Sequence, residues 1–365
     1  MYKIPVYQPS LLGNEKKYVN ECLDSTWISS KGEFVNKFEK AFSNFIDIKH
    51  STTVSNGTVA IHLALLALGI GEGDEVIVPT LTYIASVNAI TYTSATPVFV
   101  DSISSSWQID TNDVEKKITP RTKAIMAVHL YGHPCDMDAL MGICKKHNLY
   151  LIEDCAEAIG TKYKDKHVGT FGNIATFSFF GNKTITTGEG GMVVTNDDTL
   201  YDRSVHFKGQ GLAKSRQYWH DVIGYNYRMT NICAAIGLAQ LEGINEVLIN
   251  KKRVADIYRE NLLDVNVTFH NPINENVYHS YWMCSILAED NLNREKIREH
   301  LELNGIETRP LFYPVHTMPM YSKVFQTHPI AENLGWRGIN LPSYPGLKNE
   351  EIIFICNTIK DALNK

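Results

Sequence analysis

The sequence has 365 residues, which allows two or three domains at about 100–200 residues each and excludes a miniprotein held together by disulfides. Hydrophobic residues make up 44% of the chain and charged residues 21%, so a disordered or collagen-like protein is also excluded. The net charge of −5 argues against bulk attraction to nucleic acid or to an anionic membrane, although a local basic groove remains compatible with it.

The cysteines and the first residues bear on where the protein works. The seven cysteines are widely scattered and never spaced as C-x-x-C, which favours reduced thiols over disulfides. The first residues lack the apolar stretch of a secretion signal, and no apolar run reaches the length of a membrane span. These features predict a cytoplasmic location.

From residue 51 to residue 197, short β-branched runs alternate with helical stretches, which is the pattern of an α/β fold. Strands are predicted at 51–54, 75–78, 97–101, 123–128, 150–154, 174–179 and 191–195. Helical periodicity predicts a helix over 59–67 that Gly69 ends, a helix end over 89–92, and a helix over 136–147 that Asp136 caps.

The pattern changes after residue 231. A long helix is predicted over 232–257, and it links a large domain, residues 1–245, to a smaller one, residues 246–365. The smaller domain has an α+β pattern, with strands predicted at 281–288 and 305–309 and helices at 294–304 and 349–362.

Lys183 lies in a loop that follows an apolar strand, within the run SFFGNKTITTGEGG at residues 178–191. A lysine in partly dry surroundings loses its proton more easily and can then act as an amine nucleophile. Such an amine forms a Schiff base with a carbonyl such as that of pyridoxal 5'-phosphate (PLP). Taken alone, Lys183 is better explained as a solvated loop residue, so the interpretation depends on its neighbours.

Two carboxylates, Asp154 and Glu157, stand at the end of the predicted strand 150–154, the edge at which open α/β sheets bind ligands. A PLP site needs a carboxylate at the pyridine nitrogen, because a protonated nitrogen lets the ring delocalise the charge left when a substrate loses its α-proton. Asp154 is predicted to fill that role. The alternative is a helix N-cap, a common position for Asp after a strand.

The run SNGT at residues 55–58 joins a predicted strand to a predicted helix. Free N–H groups and the helix dipole suit such a turn to a phosphate, and Gly57 lets the backbone approach closely, although many helices begin in this way. Tyr83, just after the strand that Pro79 ends, can offer an aromatic face to a flat ring; the alternative is a core tyrosine.

These elements follow one another in the order found in PLP enzymes of fold type I. Together with the runs EDCAEA at 153–158 and GYNYRMTN at 224–231, they make the sequence resemble the DegT-type nucleotide-sugar aminotransferases of the aspartate aminotransferase superfamily. The resemblance implies a large PLP-binding domain with a mostly parallel central sheet over residues 1–245, and a smaller α+β C-terminal domain over residues 246–365.

The resemblance also implies residue roles. Lys183 would bind PLP covalently and shuttle a proton between the amino donor and the cofactor, Asp154 would pair with the ring nitrogen, and Tyr83 would stack on the ring. The phosphate would be held by Gly57, Thr58 and Ser178.

Two further residues follow from the same resemblance. Asn226 would reach the phosphate from the neighbouring subunit of a homodimer whose active sites are shared. Glu157 stands where many relatives have Gln or His, beside the 3-hydroxyl of PLP. A carboxylate there repels a phenolate unless one of the two is protonated.

Four shorter runs resemble the branch of the family that makes GDP-perosamine for O-antigen lipopolysaccharide: PVYQPS at 5–10, STWISSKG at 25–32, ETRPLFYPVH at 307–316 and GWRGINLP at 335–342. The implied reaction moves the amino group of L-glutamate to C4 of the GDP-keto-sugar GDP-4-keto-6-deoxymannose. The predicted nucleotide-sugar contacts, chosen because Arg suits a diphosphate and aromatic rings suit a base or sugar, are Trp27, Ser29, Arg309, Tyr313 and His316. The alternative is that Arg309 pairs with a surface carboxylate and that Tyr313 and His316 pack the domain junction.

Several other functions remain alternatives. An aminotransferase acting on a UDP- or dTDP-linked keto-sugar would share the motifs. A related PLP-dependent 3-dehydratase carries His in place of Lys183. An NAD-dependent oxidoreductase is disfavoured because the glycines at 69–73 follow a helix and do not form G-x-G-x-x-G, and a non-catalytic regulator would not need Lys183 and Asp154 together. A metal site is not predicted, because the histidines include no H-E-x-x-H and His129 and His133 have no carboxylate at ligand spacing.

Overall fold

Strands and helices alternate through the first half of the chain. The computed structural model describes residues 2–11, 13–271 and 275–364. The strands are β1 (His50–Val54), β2 (Glu75–Pro79), β3 (Thr96–Val100), β4 (Thr122–Val128), β5 (Tyr150–Asp154), β6 (Lys162–Tyr163), β7 (Lys166–His167), β8 (Ile174–Ser178), β9 (Gly191–Thr195), β10 (Val267–Thr268), β11 (Val277–Tyr278), β12 (Cys284–Ala288), β13 (Arg309–Pro310) and β14 (Gly338–Leu341).

The helices lie on both sides of the strands. They are α1 (Glu15–Asp24), α2 (Glu33–Ile46), α3 (Gly57–Leu68), α4 (Ile84–Tyr92), α5 (Thr111–Lys116), α6 (Met137–His147), α7 (Asp198–Lys208), α8 (Asn231–Glu242), α9 (Ile244–Asn261), α10 (Asn291–Leu303), α11 (Pro329–Arg337) and α12 (Asn349–Leu363).

Seven strands form the central sheet, in the order β1-β9-β8-β5-β4-β2-β3. The pairs from β8 to β3 are parallel, whereas β9 runs antiparallel to both of its neighbours. The mostly parallel sheet that the sequence predicts is therefore confirmed. Because the parallel strands all end at one edge, the loops after β2, β5 and β8 meet there.

The strand side chains alternate between two buried faces, as a sheet covered by helices on both sides requires. Val76, Ala124 and Met126 face α3 and α4, while Ile77 and Ile125 face α5 and α6. A further cluster packs α2 and α8 against the end of the sheet that contains β8 and β9.

Local signals set the helix ends near the functional edge. The Asn56 side chain accepts a hydrogen bond from the backbone N–H of Val59 at 3.0 Å and so caps α3, which ends at Gly69 in the left-handed region at φ +78°. Asp136 caps α6 through the N–H of Ala139 at 3.1 Å. Both predicted end signals, Gly69 and Asp136, are confirmed.

The C-terminal part contains a four-stranded sheet in the order β10-β12-β14-β13, with antiparallel pairing. Helices α9, α10 and α12 cover it and bury an apolar cluster. Strand β11 pairs instead with β6, so the C-terminal part is also joined to the chain that follows β5. This arrangement agrees with the α+β pattern of the C-terminal sequence.

The single helix predicted over residues 232–257 is wrong. The chain forms two helices, α8 and α9, with Gly243 between them and a bend of 64°. The first part of α9 packs Ile244 and Leu248 against the core of the central sheet, whereas its later part packs Val254 and Tyr258 in the C-terminal core. The predicted domain boundary after residue 245 falls in the first turn of α9.

The strand predicted over 305–309 is also wrong in most of its length, since only residues 309–310 of this region form β13. Ile306 instead forms an isolated parallel bridge with Ile4, and Ile4 is buried in the C-terminal core. Residues 281–283 likewise precede β12 and do not belong to it. An apolar residue near a strand is therefore not always part of the strand.

Within the described ranges, no single helix combines the length and the apolar composition that crossing a membrane requires. The bent pair α8 and α9 meets those two criteria only when both helices are counted together.

Candidate active site

The turn after β1 and the loop after β8 are in close contact. A Cβ atom on Gly57 would lie 2.7 Å from Cβ of Ser178, and one on Gly191 would lie 2.6 Å from the Asn56 carbonyl oxygen. Gly57 is the first residue of α3 and Thr58 is the second, so the free N–H groups of that helix start face this junction. The arrangement is a cradle suited to a phosphate.

Lys183 lies in the loop between β8 and β9, and its side chain is only 11% exposed. Its Nζ atom lies 3.7 Å from Oε1 of Glu157 and 3.9 Å from the centre of the Trp282 ring. Burial lowers the pKa of Lys183, and the carboxylates of Glu157 and Asp154 oppose this shift. The solvated-loop alternative is therefore wrong, and the amine has the surroundings of a nucleophile.

Asp154 ends β5 with its carboxylate buried. Its Oδ2 atom accepts a hydrogen bond from the Ser86 hydroxyl at 2.7 Å, and its Oδ1 atom accepts one from the Ala156 N–H at 3.0 Å. The Ser86 hydroxyl also lies 3.0 Å from Oγ1 of Thr82. No helix follows Asp154 before β6, so the helix-cap alternative is wrong.

Glu157 is buried beside Lys183. Its Oε2 atom accepts a hydrogen bond from the backbone N–H of Tyr131 at 2.7 Å, which leaves Oε1 facing the lysine. Burial raises the pKa of Glu157 to about 7, although the positive charge of Lys183 opposes the shift. This carboxyl group can therefore hold a proton near neutral pH.

Tyr83 is 55% exposed at the start of α4, so the alternative of a core tyrosine is wrong. Its ring centre lies 5.5 Å from that of Phe312, and Phe312 stacks in turn on Tyr131 at 5.3 Å. Tyr131 stacks on Trp282 at 6.0 Å with an angle of 8° between the rings. A layer of aromatic rings thus runs from Tyr83 to Lys183.

The features needed for PLP therefore occur at one edge of the sheet: a phosphate cradle, a buried carboxylate and a buried amine. The residues fit the cofactor, because Tyr83 offers an exposed aromatic face for the ring and Gly57 leaves room for the phosphate. Asn226 lies apart on an exposed segment, where its Oδ1 atom accepts a hydrogen bond from Nη2 of Arg228 at 3.2 Å.

The five predicted nucleotide-sugar contacts differ in exposure. Trp27 is 57% exposed, Ser29 is also exposed, and their carbonyls accept hydrogen bonds from Asn231 at the start of α8. Arg309 is exposed, and its Nη2 atom lies 3.5 Å from Oε1 of Glu307. This contact agrees with the alternative of a surface pair, but the exposed guanidinium can still reach a ligand.

Tyr313 and His316 are less available to a substrate, because their polar atoms already have partners within the chain. The Tyr313 hydroxyl accepts a hydrogen bond from Nη2 of Arg294 at 3.2 Å. His316 is buried, with Nδ1 2.7 Å from the Thr80 hydroxyl and Nε2 3.1 Å from Glu332. Both ring nitrogens of His316 are therefore engaged within the chain, which agrees with the alternative of packing; its contact with the substrate stays a prediction.

Sequence reasoning missed three residues that support the site, two of them at the Lys183 loop and one at Asp154. The Tyr7 hydroxyl donates to the Lys183 carbonyl at 2.5 Å, and the Trp282 indole N–H donates to the Asn182 carbonyl at 2.7 Å. Ser86 holds Asp154. Only Ser86 had a local signal, since it lies one helical turn after Tyr83.

His129 pairs with a carboxylate that its sequence neighbours do not reveal. Its Nε2 atom lies 3.1 Å from Glu153. Among the described residues, the possible metal-ligand atoms of His129, Glu153 and Cys155 lie within 4.8 Å of one another. The Nδ1 atom of His129 accepts the Cys135 N–H, and Glu153 accepts three backbone N–H groups. Burial also keeps the pKa of the Cys155 thiol high. His129 and Glu153 therefore belong to a buried hydrogen-bond network.

Comparison with known proteins extends these observations. Residues 9–360 match the DegT/DnrJ/EryC1/StrS aminotransferase family. The chain is 67% identical to a GDP-perosamine synthase of Escherichia coli O157:H7 over 99% of both chains, and 52% identical to one of Vibrio cholerae, also over 99% of both. A Streptococcus pneumoniae protein assigned as a sugar aminotransferase, solved in a PLP form, superposes with a TM-score of 0.94 at 28% identity and covers 100% of this chain and 99% of its own. The fold type I prediction is confirmed, and the chain belongs to the DegT/DnrJ/EryC1/StrS aminotransferase family.

Proposed function

We propose that this protein is a PLP-dependent aminotransferase that moves the amino group of L-glutamate to C4 of GDP-4-keto-6-deoxymannose and so forms GDP-perosamine and 2-oxoglutarate. The observation that carries the reaction type is the buried Lys183 amine at the same sheet edge as Asp154 and the Gly57 turn. The choice of sugar is supported by the 67% identity to the Escherichia coli relative over nearly the full length of both chains.

Residues around Lys183 are suited to hold the cofactor. Asp154 provides a negative charge for the ring nitrogen, and the Ser86 and Ala156 hydrogen bonds fix its orientation. Tyr83 provides an exposed face for the ring. The phosphate would be bound by Gly57, Thr58 and Ser178, with Asn226 of a second subunit.

PLP, when bound, supplies an aldehyde that accepts an amino group and a ring that delocalises negative charge. The protein supplies the proton transfers. The Lys183 amine can take the proton from the α-carbon of L-glutamate because burial favours its neutral form. In the second half of the reaction the same amine returns a proton to the sugar side, so one residue serves both halves.

Glu157 has the position and the pKa to hold a proton beside that amine. Because its pKa is raised to about 7, the protonated carboxyl group can donate a hydrogen bond to a phenolate instead of repelling it. This reconciles a glutamate at this position with the 3-hydroxyl of PLP.

Trp27, Ser29 and Arg309 are the exposed candidates for the nucleotide-sugar, since a guanidinium suits a diphosphate and an indole suits a base. Tyr313 and His316 would form the wall of the same site between the two parts of the chain. We place the enzyme in the cytoplasm, as a homodimer that supplies an activated sugar for O-antigen lipopolysaccharide.

A visible absorption spectrum with added PLP tests the proposal. The wild-type protein should show a yellow band that L-glutamate bleaches and GDP-4-keto-6-deoxymannose restores, with a GDP-amino-sugar found by mass spectrometry. Restoration only by a UDP- or dTDP-keto-sugar would keep the aminotransferase and overturn the sugar, whereas a protein without the band would overturn both.

Lys183→Ala should abolish the band and reduce turnover by several orders of magnitude, because the amine that binds PLP and moves the proton is lost. Lys164→Ala, a change at an exposed lysine paired with Asp138, is the matched control and should behave as wild type. Amination of the sugar by Lys183→Ala at the wild-type rate would contradict the assignment.

A further inference from the structure

Lys251 is a second buried lysine, and its surroundings differ from those of Lys183. It projects from α9 and is only 1% exposed. No ion pair joins Lys251 to a carboxylate among the described residues. Burial lowers its pKa to about 7, and the Cys284 thiol opposes this shift. An amine buried in this way loses its hydration without gaining an ion pair.

Carbonyl groups and a ring take the place of a carboxylate around Lys251. Its Nζ atom donates hydrogen bonds to the Trp282 carbonyl at 2.8 Å and to the Ser343 carbonyl. The same atom lies 5.2 Å from the centre of the Tyr7 ring. Lys251 therefore joins three segments that are far apart in the sequence.

Two of these segments contact the Lys183 loop directly. The Trp282 indole N–H donates to the Asn182 carbonyl at 2.7 Å, and its ring lies 3.9 Å from Nζ of Lys183. The Tyr7 hydroxyl donates to the carbonyl of Lys183 itself at 2.5 Å. Both consecutive carbonyls of the loop are thus held by residues that also contact Lys251.

A methionine at position 251 would fill similar space without the cost of removing an amine from water. What the amine adds is a pair of hydrogen bonds that fix the backbone of Trp282 and of Ser343. Ser343 in turn donates its N–H to the Val6 carbonyl at 3.1 Å, next to Tyr7. The contacts of Lys251 therefore determine where both loop-holding rings stand.

We propose that Lys251 is a positioning residue of the active site, which holds Trp282 and Tyr7 so that these two fix the loop and the amine of Lys183. The inference deepens the proposed function, since it depends on Lys183 being the reacting amine. Lys251 contacts neither the amine nor the predicted cofactor residues, and it acts through the two rings.

Lys251→Met tests this inference, with Lys252→Met as the matched control, because Lys252 is the adjacent lysine and is exposed on the same helix. In protein without PLP, hydrogen exchange of the amides at 180–187 should become faster in Lys251→Met. With PLP, bleaching by L-glutamate should slow by roughly tenfold to a hundredfold, the effect of a small displacement of a reacting group. Lys252→Met should match wild type in both, and Lys251→Met doing the same would overturn the proposal.

Trp282→Phe and Tyr7→Phe decide the question if Lys251→Met does not fold. Each keeps an aromatic ring and removes one hydrogen bond to the loop, at the Asn182 or the Lys183 carbonyl. Each should accelerate exchange at 180–187 and slow the bleaching, and wild-type behaviour of both would overturn the proposal. Exchange is measured without PLP, so it still tests the positioning even if a missing absorption band has overturned the proposed function.

Discussion

At the scale of single residues, Glu157 shows how burial changes the chemistry of a carboxyl group. Its side chain has two oxygens with different partners, the Tyr131 N–H and the Lys183 amine. Because burial raises its pKa to about 7, the proton that an exposed glutamate loses in mild acid is retained up to neutral pH. The charge at the centre of the site therefore depends on pH in the physiological range.

This raised pKa has a consequence for stability. Between the ordinary value of 4.5 and about 7, the folded protein binds more protons at Glu157 than the unfolded chain does, so the free energy of unfolding falls as pH rises through that window. The variant Glu157→Gln has no titrating group at this position, so it should not show this fall in the free energy of unfolding. In protein without PLP, urea unfolding should therefore show the free energy of unfolding of the variant rising relative to that of wild type by roughly 2–3 kcal/mol from pH 5 to pH 8.

Glu299→Gln is the control for that measurement, since Glu299 is exposed and its replacement should leave the pH dependence unchanged. A difference between Glu157→Gln and wild type that is the same at pH 5 and pH 8 would contradict the buried-proton interpretation.

Arg309 provides a second test at this scale. If its guanidinium binds the diphosphate, Arg309→Ala should raise KM for the GDP-sugar roughly tenfold to a hundredfold, as loss of a charged hydrogen bond does. The rate of bleaching by L-glutamate should stay nearly unchanged. Arg298→Ala, a change at a partly exposed arginine on α10, serves as control, and equal damage to both half-reactions would give Arg309 a structural role instead.

The sequence reveals Lys183, Asp154 and Glu157 because each lies at the end of a strand or in the loop that follows one, where the local pattern predicts a ligand edge. The sequence does not reveal that Lys251 is buried, because its sequence neighbours are nearly the same as those of the exposed Lys252. The two lysines differ in burial because Lys251 contacts distant segments: Trp282 and Ser343 lie 31 and 92 positions away. No local pattern carries that information.

At the scale of elements, the turn before α3 depends on the absence of a side chain. Gly57→Ala should disturb the cradle, because the new Cβ atom would lie 2.7 Å from Cβ of Ser178 on the facing loop. We expect lower affinity for PLP and a loss of roughly 1–3 kcal/mol in the free energy of unfolding, the usual cost of overpacking. Absorption titration with PLP and urea unfolding measure the two effects.

Gly142→Ala is the control, at a glycine of a helix that packs on the same sheet. Gly142 lies inside α6 with open space where the Cβ would stand, so alanine should stabilise the protein by about 0.5–1 kcal/mol. Equal effects of the two substitutions would show that the close approach of Gly57 to Ser178 is not important.

The break between α8 and α9 is the element that the sequence pattern hides. Apolar residues continue at helical spacing on both sides of Gly243, and a glycine in a helix costs only about 1 kcal/mol, so periodicity alone predicts one helix. Tertiary packing decides otherwise, because α9 must reach two different cores. The strand positions of the central sheet were predictable since each is a short run bounded by turn residues, but the order of the strands depends on contacts between distant segments.

At the scale of the whole molecule, the exposed segment around Asn226 makes the strongest case for a second subunit. It includes several exposed apolar residues, namely Leu212, Tyr218, Trp219, Val222 and Ile223. An apolar patch of this kind is characteristic of an interface. Asn226 lies close to it in the sequence and has only Arg228 as a side-chain partner among the described contacts.

A shared active site predicts complementation. A protein carrying Lys183→Ala and one carrying Asn226→Ala should each be impaired, yet exchanging their subunits should produce mixed dimers in which one of the two sites is intact. Random pairing then restores about a quarter of wild-type turnover at limiting PLP. Placing both substitutions in one chain and mixing it with Lys183→Ala should restore nothing, and turnover equal to the sum of the separate variants would contradict the shared site.

The contacts of the first residues with the C-terminal part also determine when the site is completed during synthesis. The N–H of Val6 donates to Glu307, 301 positions away, and Tyr7 beside it holds the carbonyl of Lys183. At roughly 5–20 residues per second, the N-terminal segment leaves the ribosome some fifteen seconds to a minute before its partner does. The central sheet can form in that interval, but Tyr7 and Trp282 are fixed against the loop of the reacting amine only after Ser343, which binds both Lys251 and the Val6 carbonyl, has been synthesised.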